Sequence, residues 1–151
     1  MSGELQPVSG VIDGARHLFP VRVYYEDTDL SGIVYHANYL KYAERARSDL
    51  LRLLGVDQRA AQEAGEGTYA VAEAQIHFRA PARLDDSLTV QTRVAELGAA
   101  SVRLDQRVVR GKDVLADLTI RVGFVGPNGR PRRQPDAWRA AFASFMGNST
   151  A

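Results

Sequence analysis

The stretch NYLKYAERARSDLLRLLG, residues 38–55, decides how this chain can fold. Apolar residues recur at Leu40, Ala43, Ala46, Leu50, Leu51 and Leu54, the spacing of one helical face. Asn38 stands where an N-cap is wanted, and Gly55 where a left-handed C-terminal residue is wanted. One long helix with a single side to bury is therefore expected. Upstream, HLFPVRVYY (17–25) alternates as a strand, with Val21 and Val23 on one face. Downstream the period changes to two. Leu88, Val90, Thr92 and Val94 share a face in SLTVQTRVAEL (87–97), and Ala72, Ala74, Ile76 and Phe78 do so in AVAEAQIHFRAP (70–81). SVRLDQRVVR (101–110) offers Val102, Leu104 and Val108, and VLADLTIRVGFV (114–125) alternates from Val114 to Phe124.

Turn signals (ARLDD, LGAA, RGKD) separate the last four strands, so an antiparallel meander is the economical pairing. GPNGRPRRQP (126–135) closes the sheet, and PDAWRAAFASFM (135–146) reads as a short amphipathic helix. A sheet with one apolar face needs cover, and the long helix is the natural filling. The expected class is α+β with hotdog architecture: a curved antiparallel sheet of about five strands wrapped around one central helix. Residues 1–15 are expected to be a flexible segment, and 16–147 a single domain.

Composition bounds the chemistry. The chain has 151 residues and a formal net charge of +1, so no broad basic field exists to hold nucleic acid. Without cysteine there are no disulfides, thiolate nucleophiles or thiolate metal sites. The start, MSGELQPVSGVIDGA, lacks the basic residues and apolar run of a signal peptide. No stretch approaches the ~20 apolar residues of a membrane span. A cytoplasmic setting is the expectation.

Between strand and helix lies VYYEDTDLSGIVYHANYL (23–40), which gathers Asp27, Asp29, Gly32 and His36 at one junction. Asp27, Asp29, Ser31 and Gly32 fit the first ligand positions of an EF-hand, but position 12 falls on Asn38 where a bidentate glutamate is needed. An aspartyl phosphatase of the haloacid dehalogenase type would need a parallel sheet. No GxSxG elbow supports a serine triad. Acyl-ester or thioester hydrolysis fits better. The first turn of a helix offers unpaired N–H groups that can stabilise a developing oxyanion. A loop carboxylate, ionised at neutral pH, could attack the carbonyl or activate water. Taken singly, Asp27 reads as a turn residue bonding its own backbone. His17 and His77 lie in strand patterns and read as structural or solvent-facing.

YYEDTDLSGIVYHANYLKYAERARSDLL (24–51) closely resembles the signature of the 4-hydroxybenzoyl-CoA thioesterase family in the hotdog superfamily. It is most similar to the branch of Tol-Pal-associated acyl-CoA thioesterases. The likeness continues through HFRAPARLDDSLTVQTRV (77–94) and FVGPNGRPRRQP (124–135). The resemblance implies hydrolysis of acyl-CoA to free acid and CoA, with no metal or bound cofactor. It implies that Asp29 is the essential acid, as nucleophile or base, with Tyr25 and His36 beside it and an oxyanion donor at or near the His36 N–H. Gly32, Val34 and Tyr35 are then expected around the substrate. Glu44 is the runner-up acid, because another branch carries its carboxylate on the helix. The resemblance also implies dimers joined sheet edge to sheet edge, or dimers of dimers, with sites between subunits. Acyl carrier protein is a conceivable partner. Arg130, Arg132 and Arg133 make a candidate rim for CoA phosphates. Two rivals remain: a non-catalytic acyl-CoA or carrier-protein binding module acting as an envelope adaptor, and a hotdog hydratase or dehydratase.

Overall fold

The periodic stretch is a helix, α1 (Asn38–Leu53), packed against one face of a six-stranded antiparallel sheet. The computed structural model describes residues 3–148. Strands β1 (Val11–Asp13) and β2 (Arg16–Arg22) precede α1, and a short helix α2 (Gln58–Glu63) follows it. Then come β3 (Thr68–Phe78), β4 (Ser87–Leu97), β5 (Ser101–Arg110), β6 (Asp113–Val125) and a final helix α3 (Asp136–Met146). This is the hotdog arrangement expected from the pattern. Among the described residues no helix is long and apolar enough to cross a membrane.

The core is the α1–sheet interface. Val21, Leu88, Val90, Val108, Leu118 and Ile120 project from the sheet onto Tyr39, Tyr42, Ala43 and Ala46. The two alanines let the helix lie close to the strands. Farther along α1, Leu50 joins Val94, Val102, Leu104 and two α3 residues, Phe142 and Phe145, in a second cluster. Each such large apolar side chain contributes about 1.5–3 kcal/mol when taken out of water. The buried stripe is rotated from the one read in the sequence. Tyr39 and Tyr42 point inward while Leu40 is 39% exposed. Asn38 is the first helical residue rather than the cap, and its side chain does other work.

Three further expectations need correction. The meander holds from β4 to β6, but β3 pairs with β6 at the far side, giving the order β1-β2-β4-β5-β6-β3. The β4–β5 and β5–β6 links are tight reversals, whereas residues 79–86 cross the end of the sheet. There the backbone is stitched to β6 by Arg79 and Ala80 donating to the Leu115 carbonyl. It is stitched to residue 23, beyond β2, by paired bonds between Val23 and Asp85 and Asp86. ARLDD is thus a crossing and not a hairpin turn. The strand count is six because β1 forms inside the segment expected to be flexible, with Ile12 opposite His17.

That early strand is held by a buried acid on α1. Asp49, 3% exposed, accepts bonds from the Ser9 hydroxyl (2.9 Å) and the Gly10 amide (2.9 Å). His17, fully buried, places Nε2 2.7 Å from the same carboxylate. A carboxylate only accepts, so Nε2 carries the proton. Burial pushes the Asp49 carboxyl up, but the His17, Gly10 and Ser9 bonds outweigh it and hold it below the ordinary value. Gly10 has no room for a side chain: a Cβ there would meet the Leu18 carbonyl oxygen at 2.3 Å and Asp49 Oδ2 at 2.9 Å.

Candidate active site

The junction between β2 and α1 folds into a small hairpin that brings its chemistry to one place. Thr28 and Val34 bridge as an antiparallel pair, and the Asp27 carbonyl accepts from the Tyr35 amide. Asp29 and Ile33 face each other across the loop, the Asp29 amide donating to the Ile33 carbonyl at 2.9 Å. Gly32 closes the turn at φ +82°, a left-handed conformation that disfavours a side chain. A tight turn followed by one left-handed residue is a standard three-residue hairpin loop. The DTDLSG pattern therefore builds a turn.

The two acids of that pattern do different things. Asp27 is buried and frames the loop. Its carboxylate accepts the Tyr24 amide (2.8 Å), and its carbonyl accepts the Asn38 side-chain amide (2.8 Å). Asn38 thereby ties the start of α1 to the acid-bearing loop. Tyr42 lies behind, its hydroxyl raised above the ordinary tyrosine value by burial and then by the Asp27 charge. Asp29 is exposed. Ser31 donates to its Oδ1 through both hydroxyl and amide, leaving Oδ2 without a protein donor among the described residues. The Ser31 hydroxyl bond, then the Ser31 amide bond, hold the Asp29 carboxyl below the ordinary carboxylate value.

The start of the helix leaves two backbone donors open. The amides of Asn38, Tyr39 and Leu40 are occupied by the carbonyls of Tyr35, His36 and Ala37. The amides of His36 and Ala37 have no protein acceptor among the described residues. These two open amides lie where the hairpin hands over to the helix, at the position the resemblance implies for an oxyanion donor. The His36 ring lies 4.5 Å from the Tyr35 ring and 6.2 Å from that of Phe78 at the end of β3.

Other expected site residues are placed less simply. Tyr25 is on the same segment but 83% exposed, and no hydrogen bond joins its hydroxyl to Asp29 or His36. Val34 is a core residue, so only its backbone borders the site. Gly32 and Tyr35 are exposed beside Asp29 and His36. Glu44 is exposed on α1, about two turns farther along the helix. The three arginines lie at the opposite end of the sheet. Phe78, near His36, pairs with Ala116, whereas the arginine loop starts after Val125, which bridges Pro131. That separation along β6 is roughly 30 Å. Arg132 is engaged with the Gly65 and Glu66 carbonyls, and Arg133 with Asp136 at 3.6 Å. Within one chain they form no rim around Asp29.

Changing Ser31 to alanine is expected to move the acidic limb of the pH–rate profile to higher pH. With the carboxylate as the working form, as the resemblance implies, activity would fall as pH drops through the Asp29 pKa. Removing the hydroxyl lets that pKa climb towards its ordinary value. A profile identical to the parent's would show that Asp29 does not set the limb.

The thioesterase superfamily model designated 4HBT matches residues 31–116. The chain is a member of the 4HBT thioesterase superfamily. The match contains His36 and all of α1, and it starts just beyond Asp29. This 4HBT chain is 41% identical over 125 residues to acyl-CoA thioesterase YbgC of Haemophilus influenzae, covering 82% of this chain and 92% of that one. It is 39% identical over 126 residues to acyl-CoA thioester hydrolase YbgC of Escherichia coli, covering 82% and 93%. The solved structure of a probable thioesterase from Bartonella henselae superposes with TM-score 0.76 at 36% identity, covering 80% of this chain and 100% of that one. The branch read from residues 24–51 agrees with the YbgC relatives.

Proposed function

We propose that this 4HBT protein is an acyl-CoA thioesterase in which Asp29 drives the attack on the thioester carbonyl. The observation that carries the reading is the pairing of an acid with donors. Asp29 has one oxygen free, and it stands in the hairpin that delivers the unoccupied His36 and Ala37 amides. The new C–O bond would come either from Asp29 itself, giving a mixed anhydride that water then cleaves to the free acid, or from a water that gives its proton to Asp29. In both routes the carbonyl oxygen takes charge and those amides would meet it. The C–S bond then breaks, and the CoA sulfur leaves as a thiolate that is protonated in solution. An exposed, low-pKa aspartate is a weak base, which suits an acyl group already activated as a thioester. The His36 ring and the Tyr25 hydroxyl would orient substrate beside Asp29.

A second copy of the chain completes this proposal. β3 is an edge strand eleven residues long whose Ala70, Val71, Ala72 and Ala74 are exposed. Long open edges are pairing surfaces. Tyr25, Leu30, Tyr35 and Phe78 are exposed at the site end, in a chain whose site has no cover of its own. Antiparallel two-fold pairing of β3 would lay the far end of the partner's sheet over this site. The loop with the partner's Arg130 would then approach the CoA phosphates. Dimers, or dimers of dimers, in the cytoplasm are part of the same proposal.

The test is thiol release from short, long and aromatic acyl-CoAs, with acyl-carrier-protein thioesters as a parallel arm, while sedimentation reports the assembly. Turnover of one or more acyl-CoAs by a dimer or larger species is the expected result. Tight acyl-CoA binding without thiol release across the panel would remove the hydrolase reading, and a strictly monomeric active protein would remove the shared site.

A further inference from the structure

A cavity of about 90 Å³ lies between α1, the sheet and α3, away from the Asp29 hairpin. Leu50, Leu104, Val122, Tyr69 and Phe142 give it apolar walls, and Arg47 reaches into it from α1. The Tyr69 hydroxyl is already committed to Gln134 Oε1. Arg47 is not so committed. Its side chain is part-buried, yet its one protein bond among the described residues is Nη1 to Gln106 Oε1 at 3.0 Å. No carboxylate among those residues stands within ion-pair distance of it. Guanidinium carries five N–H donors, and a buried charge without a counter-ion is costly. Glu44, whose charge acts on Arg47 from one turn away, is exposed on the rim, where water screens it. An apolar chamber holding one under-bonded cation suits a ligand that is mostly hydrocarbon and ends in an anionic oxygen.

We propose that this chamber receives the far end of the acyl group and that Arg47 selects acyl groups terminating in a carboxylate. The inference rests on the thioesterase reading and adds to it the substrate class. The chamber is smaller than the ~150 Å³ cavity that takes up a benzene ring, so it admits a compact end and excludes a long alkyl tail. Residues 44–51 line it, between roughly 9 and 20 Å along α1 from the helix start. With β3 edges paired, the partner's chamber is the nearer of the two. Arg47 is a specificity residue here and touches no reacting atom.

Adipoyl-CoA against hexanoyl-CoA, and suberoyl-CoA against octanoyl-CoA, isolate the terminal carboxylate at matched length. The parent is expected to favour the dicarboxylic member of a pair about tenfold or more in kcat/KM, the scale of a charge-assisted bond. Arg47→Met should erase the preference, bringing the kcat/KM ratio of the dicarboxylic to the plain member of each pair down to about one. Arg47→Lys should keep part of it. A role confined to holding Gln106 would lower both members equally and leave their ratio unchanged, which overturns the proposal. Should Arg47→Met not fold, Val71→Trp at the exposed mouth is expected to close the chamber and remove the same preference. Direct binding of the same pairs to Asp29→Asn protein decides the matter without turnover. Equal affinities there reject the Arg47 assignment. A tenfold difference without thiol release by the parent keeps it and rejects the hydrolase.

Discussion

Asp29→Asn protein is expected to fold as the parent does and to lose roughly a hundredfold to ten-thousandfold in kcat, the range of a positioned acid–base group. Folding should be spared because the Asp29 side chain is exposed and bonds only within its own turn. An asparagine can still accept from Ser31 through its carbonyl oxygen, so the loop keeps its shape. What disappears is the exposed anionic oxygen of the hairpin that leads into the open His36 and Ala37 amides. KM should move little, since those amides and the rest of the substrate contacts stay in place. Thiol release at the parental rate by a folded Asp29→Asn protein would sink the assignment. Glu44, exposed two turns along the helix, would then be the acid to change next.

The largest expected effect on stability lies elsewhere. Asp49→Ala should cost about 3 kcal/mol in denaturant unfolding, because it strips a buried histidine, a hydroxyl and an amide of their shared acceptor. For a chain of this size that corresponds to roughly 10 °C in Tm. Hydrogen exchange at Gly10 and along β1 should accelerate as well. A pH dependence accompanies the loss. Because the folded-state pKa of Asp49 is depressed, its contribution is fully present above the unfolded carboxylate value. It declines as pH falls through the depressed folded value, and the alanine variant should lack that decline. A change below 1 kcal/mol would mean the carboxylate is not holding the N-terminal strand.

These two residues show what a single sequence does and does not reveal. α1 was legible because its apolar spacing repeats over several turns, and β4 to β6 because short reversals join clean alternations. The proposed roles of Asp29 and His36 rest on the extended likeness of residues 24–51, since an acid in a glycine turn is ordinarily structural, as Asp27 proves to be. Asp49 was missed although a signal existed. Tyr42, Ala46, Asp49 and Leu50 fall on one helical face, so an acid stood on the inward stripe. Its partner His17 is far off in sequence, and no local pattern links them. The β3 crossover was missed because residues 79–86 carry turn-forming residues. Their long-range bonds to Val23 and Leu115 are what make them a crossing. The arginines were grouped by composition, but register along β6 puts them at the wrong end of their own chain.

The collision that any side chain would suffer at Gly10 divides the leading residues into two parts of unequal worth. Ahead of Ser9 the chain should tolerate trimming, extension or decoration at little cost, because residues 3–8 are exposed and no side-chain bond from them to a buried group occurs among the described residues. At Ser9 and Gly10 the chain is fitted to the buried Asp49 carboxylate, and position 10 has no room for a side chain. An affinity handle or fusion partner therefore belongs before that boundary, and a truncation that crosses it would injure the central helix from outside.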